Sequence, residues 1–424
     1  MKNYKAAIIG AGSSYTPELI EGFIDRQGTL PFRSFYLMDI NRNKLDVVGG
    51  LARRMMRAKG FDGEIILTED IDEALEGADY IFAQIRAGGM EARIRDEKIP
   101  LKYGLLGQET TGAGGFMNSL RTVPVMLTMA KRIEALAPDA WLINFSNPSG
   151  IVTEALLNYT NVKTIGLCNC PINMLADIAK KIGSDNFEYD YVGLNHLSWI
   201  TSVRKDGREL LSEMKKAAGV VMKNIPEFTY PPEIMRAVPY IPSSYLSYYY
   251  LRDEQIEKCL KAEKTRGEVC VEIEASLMEQ YKSPVLDKKP EELALRGGAL
   301  YSTAAVAAVE AMENDKGEFH VVNVKNNGIL DFLADDDVVE VKCRLNKDKV
   351  IPIPVLPVDN GYIIGLIQAV KAYEKLTVKA AVNGSREDAL AALMLHPLVG
   401  DYYKASKALG EMLEANKAYL PRFF

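Results

Sequence analysis

The 424 residues carry 51 basic against 57 acidic side chains, a net charge of -6, with 48% hydrophobic and 25% charged residues. That balance is ordinary for a folded enzyme and provides no electrostatic footprint for nucleic acid or an anionic membrane, so any anionic ligand must be held by a few local arginines. The length exceeds what one hydrophobic core of roughly 250–300 residues supports, which predicts two domains, and no apolar run approaches the roughly 18 residues of a bilayer span. Five cysteines (Cys168, Cys170, Cys259, Cys270 and Cys343) form an odd set without a disulfide framework, which points to a reducing compartment. The opening Met1-Lys2-Asn3-Tyr4-Lys5 runs straight into a short apolar strand, without a signal-peptide core or cleavage site. A cytoplasmic location is expected.

Along the chain, short apolar runs alternate with amphipathic stretches, the pattern of strands joined by crossover helices in a parallel sheet. The runs predict strands at Tyr4–Ile9, Phe35–Met38, Glu64–Leu67, Tyr80–Gln84, Trp141–Asn144 and Thr164–Leu167, with helices near Thr16–Ile24, Arg42–Ala58 and Leu120–Leu136. In the last of these, Leu120, Val123, Leu127, Ala130 and Ile133 mark one buried face. From about residue 194 the alternation gives way to long helices at Glu254–Tyr281, Arg296–Glu313 and Asp388–Asn416, and to strands at His320–Val324 and Val338–Cys343. No repeat or flexible linker separates the halves. One continuous body is expected, with a cleft at the seam where open sheets bind ligands.

The turn Gly10-Ala11-Gly12-Ser13-Ser14-Tyr15 follows the first strand and opens a helix, so its amides and the helix N-terminus can receive a pyrophosphate. Tyr15 stands where the full fingerprint has a third glycine, and the two glycines alone are a weak signal. Asp39 closes the second apolar run, placed to accept from the adenosine ribose hydroxyls and to repel a 2'-phosphate; together these residues favour NAD over NADP. Cys168 follows the sixth strand, and His196, one of three histidines, lies at the change of architecture. A thiolate and an imidazole from different segments suit a metal whose other positions belong to substrate and water. On spacing alone, a packing cysteine and a hydrogen-bonded core histidine account for the pair more readily.

Several further segments occur in a distinctive order: Arg86-Ala87-Gly88-Gly89, Gly107-Gln108-Glu109-Thr110, Asn144-Phe145-Ser146-Asn147-Pro148, Cys168-Asn169-Cys170-Pro171, Gly193-Leu194-Asn195-His196, the tyrosine run from Pro242 to Tyr249, and Arg296 to Ser302. With the Gly10–Leu19 run, they resemble glycoside hydrolase family 4 over nearly the whole chain. Within it the chain is most similar to the NAD- and Mn-dependent 6-phospho-β-glucosidases, because Asn169 stands where α-specific relatives tend to carry aspartate. The fold so implied is α/β: a Rossmann-type, doubly wound, mainly parallel sheet in residues 1–193, followed by a mixed, largely helical α+β domain in residues 194–424, an architecture like that of lactate and malate dehydrogenases.

The resemblance implies hydrolysis of a phosphorylated β-glucoside by an NAD-dependent route, an exception to the two-carboxylate mechanism. NAD+ takes hydride from sugar carbon 3, carbon 2 loses its proton, the aglycone is eliminated, water adds at carbon 1, and the hydride returns. Gly10, Gly12, Ser13, Ser14 and Asp39 are the expected cofactor residues, and Cys168 and His196 the expected ligands of a divalent metal, Mn2+ by resemblance, although such a pair also accepts Zn2+, Fe2+, Co2+ or Ni2+. The Lewis acid stabilises the developing enolate. Tyr245 is the expected base, with Tyr240, Tyr248, Tyr249 and Tyr250 as neighbours able to compete. Arg86 and Arg266 are the candidates for the 6-phosphate; Arg266 reads equally well as a solvated helix residue. Asn147 is placed to bond substrate and cofactor, Glu109 to orient a hydroxyl or a metal-bound water, and Asn169, an amide, cannot protonate a leaving group. A homodimer or homotetramer is the family-based expectation. Two other classes remain open on sequence: an NAD-dependent dehydrogenase of a 2-hydroxyacid or sugar, and a non-catalytic NAD sensor.

Overall fold

The computed structural model describes residues 3–216, 229–297 and 301–424, with 301–303 by backbone alone. Six strands, β1 (Tyr4–Ile9), β2 (Phe32–Met38), β3 (Glu64–Thr68), β4 (Tyr80–Ala83), β5 (Trp141–Asn144) and β6 (Lys163–Gly166), pair in parallel in the order β3-β2-β1-β4-β5-β6. Their near-continuous burial is that of a sheet covered on both faces. The order reverses between β1 and β4, and the crevice beyond the carboxyl ends at such a switch point is where ligands of open sheets bind.

The helices between these strands follow from local sequence. In α2 (Arg42–Ala58) the side chain of Asn41 caps the first turn, accepting from the Lys44 amide at 3.0 Å, and Leu45, Val48, Leu51, Ala52 and Met55 form its buried stripe. Truncating Leu51 to alanine there costs about 2–5 kcal/mol. Helix α1 (Thr16–Asp25) matches its expected span closely. Further on come α3 (Ile71–Leu75), α4 (Gly89–Leu101) and α5 (Gly112–Leu136). Helix α5 starts eight residues before the expected Leu120. Its first turns hold Gly112, Gly114 and Gly115, poor helix formers that read as loop, yet a Cβ at Gly114 would meet the Gln108 carbonyl oxygen at 2.2 Å and one at Gly115 would meet Thr110 at 2.3 Å. Close packing overrides propensity. Helices α6 (Ser149–Tyr159) and α7 (Cys170–Ile182) complete the first half.

A second, antiparallel sheet is built on the hairpin β7 (Glu188–Leu194) and β8 (Leu197–Lys205), with β9 (Arg208–Glu209) and β10 (Ile241–Pro242) each paired to β8. Three later strands, β11 (Glu318–Lys325), β12 (Val338–Leu345) and β13 (Val350–Pro352), do not form a sheet of their own: β11 pairs antiparallel with β6, and β12 and β13 follow. The second half therefore extends the first half's sheet.

Two long helices expected from sequence are each split. Glu254–Tyr281 becomes Arg252–Lys261 and Arg266–Tyr281, because Thr265 and Glu268 form a reciprocal capping box. Asp388–Asn416 becomes Arg386–Leu395 and Tyr402–Ala415, interrupted at His396-Pro397 and restarted by the Asp401 cap. The expected helix Arg296–Glu313 is helical from Tyr301; Glu291–Arg296 is a 3-10 turn, Gly297 has φ 87°, and Gly298, Ala299 and Leu300 lie outside the described residues. A 23-residue helix, Gly361–Asn383, had no sequence reading. Among the described residues no helix is long and apolar enough to cross a membrane.

Candidate active site

The carboxyl ends of four adjacent parallel strands each deliver a candidate residue: β1 the Gly10–Ser13 turn, β4 Arg86, β5 Asn147, and β6 Cys168 and Asn169. They surround a cleft of about 1680 Å³, beyond the roughly 300–1000 Å³ of a single small-ligand pocket and large enough for a dinucleotide and a second ligand together. Gly10, Gly12, Ser13, Asp39, Arg86, Glu109, Asn147, Asn169, His196, Tyr245 and Arg266 all line it. Ser14 and Cys168 do not: both are buried behind its wall.

At the turn, Gly10 has φ 86°, and a Cβ on it would meet the Gln84 carbonyl oxygen at 2.9 Å. Asp39 accepts from the Gly12 amide at 2.8 Å and from the Asn41 amide at 2.9 Å, so it braces the turn as well as facing the cleft. Tyr15 lies under Arg296, whose guanidinium carbon is 5.7 Å from the ring centroid. A third glycine is thus replaced by a ring that carries a cation.

His196 occupies the two-residue turn of the β7–β8 hairpin, in the left-handed region at φ 63°. Asn195 holds that turn: its Oδ1 accepts from the Gly150 amide at 3.3 Å and its Nδ2 donates to Glu340 at 2.9 Å. Glu340, on β12 and fully buried, also accepts from Tyr191 at 3.0 Å and Asn323 at 3.3 Å. Burial pushes its carboxyl up to about 7 despite those bonds. The Cys168 sulfur stands 3.3 Å from His196 Nε2. Typical metal–sulfur and metal–nitrogen lengths place two such donors about 3.1–3.6 Å apart for right-angled to tetrahedral geometry, so the pair fits one cation. Burial lowers His196 to about 3 and keeps it neutral, as a ligand must be, and burial together with the Glu340 charge pushes the Cys168 thiol up. Among the described residues no cluster of three or more His, Cys, Asp or Glu side chains offers itself to a metal.

Tyr245, on a 3-10 turn after β10, stacks on His196 with ring centroids 3.9 Å apart and planes within 16°. Burial and the neighbouring Cys168 push its phenol well above the ordinary value. Of the other tyrosines named, Tyr248 also lines the cleft; Tyr249 faces His396, Tyr250 accepts from the Trp199 indole at 3.1 Å, and Tyr240 is not part of the cleft wall.

Arg86 and Arg93 both pair with Glu109, at 2.8 and 3.0 Å. Burial alone would raise that carboxyl, but Arg86, Arg93 and Arg296 outweigh it and hold it at about 2. Glu109 is therefore a fixed anion that orients arginines. Arg266 is half-buried on the cleft wall and donates to the carbonyl of the exposed Leu295 at 2.8 Å. Also on the cleft wall, Arg296 has a buried Nε without a hydrogen-bond partner among the described residues. It had no assigned role from sequence, although its motif was visible. Asn147 Oδ1 is likewise buried and has no hydrogen-bond partner among the described residues, an acceptor available to a hydroxyl or a carboxamide.

Models of the family 4 glycosyl hydrolases match residues 5–184, and of their C-terminal domain residues 191–399. The chain belongs to family 4 of the glycosyl hydrolases. It is 45% identical to a probable 6-phospho-β-glucosidase of Bacillus subtilis, with 100% of this chain and 98% of that protein covered. To the 6-phospho-β-glucosidase of Escherichia coli it is 39% identical over 99% of this chain and 96% of the other. The structure of the 6-phospho-β-glucosidase from Thermotoga maritima with manganese, NAD+ and glucose-6-phosphate superposes with a TM-score of 0.90, at 34% identity, covering 98% of this chain and 99% of that one.

Proposed function

We propose that the chain is a 6-phospho-β-glucosidase that hydrolyses phosphorylated β-glucosides to glucose 6-phosphate, using NAD+ and a divalent metal, Mn2+ first among the candidates. The observation that carries the reading is the convergence, at one cleft, of the Gly10–Ser13 turn with the Cys168–His196 pair and the stacked Tyr245. Relatives named for that activity at 39–45% identity support it. The cofactor lies on Gly10, Gly12, Ser13 and Asp39, with Ser14 supporting the turn from beneath, and the metal on Cys168 and His196. When bound, NAD+ supplies a reversible hydride acceptor and the cation a Lewis acid for sugar hydroxyl oxygens.

The remaining work falls to the chain's own side chains. Tyr245, its phenol ionised with the help of the positive charge of the bound cation, would take the proton from sugar carbon 2, which a ketone at carbon 3 makes acidic. Arg86 and Arg296 hold the 6-phosphate, Arg86 aligned by Glu109, and Arg266 makes a contact from the cleft wall. Asn147 accepts from a sugar hydroxyl or the cofactor carboxamide. Asn169 carries no acidic proton, so the leaving group takes its proton from water. In this reading residues 1–193 provide the dinucleotide site and Cys168, and residues 194–424 provide His196, Tyr245 and Arg296. A cytoplasmic homodimer or homotetramer completes the proposal.

The test is nitrophenyl 6-phospho-β-glucoside with NAD+, Mn2+ and a thiol reductant, followed for both nitrophenol and NADH. Nitrophenol release that requires both additives, without net NADH, is expected. Stoichiometric NADH would replace the reading with a dehydrogenase, and NAD+ binding without nitrophenol release would leave a sensor.

A further inference from the structure

Rejection of a 2'-phosphate by Asp39 requires that no nearby cation rescue it, and two cations stand within one turn of that residue. Arg42 and Lys44 lie in the first turn of α2, three and five residues after Asp39, which itself follows the end of β2 at Met38. A Cβ on Gly12 would lie 2.8 Å from the Asp39 carboxylate and 3.1 Å from the Lys44 Cβ, so the turn, the acid and the lysine stem share one corner of the cleft. Both cations are already engaged. Arg42 pairs with Asp46 one turn along at 3.0 Å, and the Lys44 ammonium pairs with Glu274.

Glu274 comes from the helix Arg266–Tyr281, which packs across α2 and α4 from the second half of the chain. Its side chain is 14% exposed, and its other oxygen lies 3.3 Å from Arg296. Burial alone would raise its carboxyl, but Lys44 and Arg296 outweigh that and lower it, so Glu274 stays ionised. For Lys44 to reach a phosphate it must leave a largely buried carboxylate with half its compensation, a cost a 2'-phosphate has to overcome before any attraction is gained. We propose that Glu274 is a cofactor-specificity residue: by holding Lys44 it withholds the cation that a 2'-phosphorylated dinucleotide would need, so that discrimination against NADP is set jointly by Asp39 and by a residue of the other half of the chain.

The inference rests on the NAD reading, and the experiment separates the two. Equilibrium dissociation constants for NAD+ and NADP+ are measured by titration calorimetry on the full-length protein stripped of nucleotide. Failure of the wild type to bind NAD+ would remove the cofactor reading itself. With NAD+ bound, Glu274→Gln is expected to tighten NADP+ by about tenfold while NAD+ stays within about twofold, and adding Lys44→Ala to that variant is expected to erase the gain. An unchanged NADP+/NAD+ ratio in Glu274→Gln, or a gain that survives Lys44→Ala, overturns the proposal. Lys44→Ala alone covers the case in which Glu274→Gln does not fold: the ratio should stay within about twofold of wild type, because the ammonium is already withheld. A large loss of NADP+ affinity in that variant would show Lys44 reaching the phosphate in the native protein and equally overturns it.

Discussion

The ring of Tyr245 lies flat on the ring of His196, with centroids 3.9 Å apart. The expected base is thereby fixed against an expected metal ligand, two segments from different parts of the chain joined by one stacking contact. The β7–β8 hairpin is what joins them, since β8 both closes the His196 turn and pairs with β10, two residues before the 3-10 turn that carries Tyr245.

Tyr245→Phe keeps the ring and its stacking but removes the phenolic oxygen. Glycoside cleavage should fall by on the order of 10²–10⁴-fold, as for loss of a general base, with NAD+ affinity unchanged. Turnover in heavy water should place deuterium at carbon 2 of the product in wild type, and that exchange should slow in parallel with cleavage. Normal exchange in the variant would move the base to a neighbouring tyrosine, of which Tyr248 also lines the cleft.

Cys168→Ser and His196→Ala should each weaken Mn2+ binding, measured by metal titration on the purified protein, by at least about tenfold. Full metal affinity in Cys168→Ser would make the cysteine a packing residue. The cofactor turn is supported by Asp39 and Gln84 rather than by Cys168, so NAD+ binding should persist in both variants.

Glu109 provides a pH signature. Its carboxyl is held at about 2 in the folded chain against an ordinary value of 4.5, so its stabilising contribution is complete above pH 4.5 and is lost as the pH falls toward 2. The stability advantage of wild type over Glu109→Gln, from urea unfolding, should shrink by about 2 kcal/mol between pH 6 and pH 3. An advantage independent of pH would mean that Arg86 and Arg93 do not hold the carboxylate in its charged form.

Arg121 is fully buried, bonded to Asp96 at 2.9 Å, to Asn416 at 3.1 Å and to the Ala87 carbonyl at 3.0 Å. It ties the loop after Arg86 to the C-terminal end of the helix Tyr402–Ala415. Arg121→Lys keeps the charge but not the planar fork, and should cost on the order of 2–4 kcal/mol in urea unfolding. The exposed pair Arg132–Asp72 serves as the control, where Arg132→Lys should change stability by less than about 0.5 kcal/mol.

The parallel half was legible in the sequence because its information is local. Each strand is a short apolar run, each helix carries its own buried stripe, and Gly10, Gly12 and Asp39 sit at fixed offsets from strand ends, so β1, β5, α2 and the nucleotide turn follow from neighbours in the chain. The long helices of the second half were misjudged where a cap or a proline outranked continuous amphipathicity, as at Thr265 and Pro397. What only the tertiary structure decided is what depends on partners distant in sequence. Strand β11 joins the first sheet through Asn323 opposite Gly166, where a Cβ would meet the Thr153 hydroxyl at 2.1 Å. Glu340 steadies the His196 turn from β12, and Glu274 reaches Lys44 across 230 residues. Composition and periodicity are blind to such pairs, because the energy of a buried charge or hydrogen bond depends on which group faces it, and that is settled only when the elements pack.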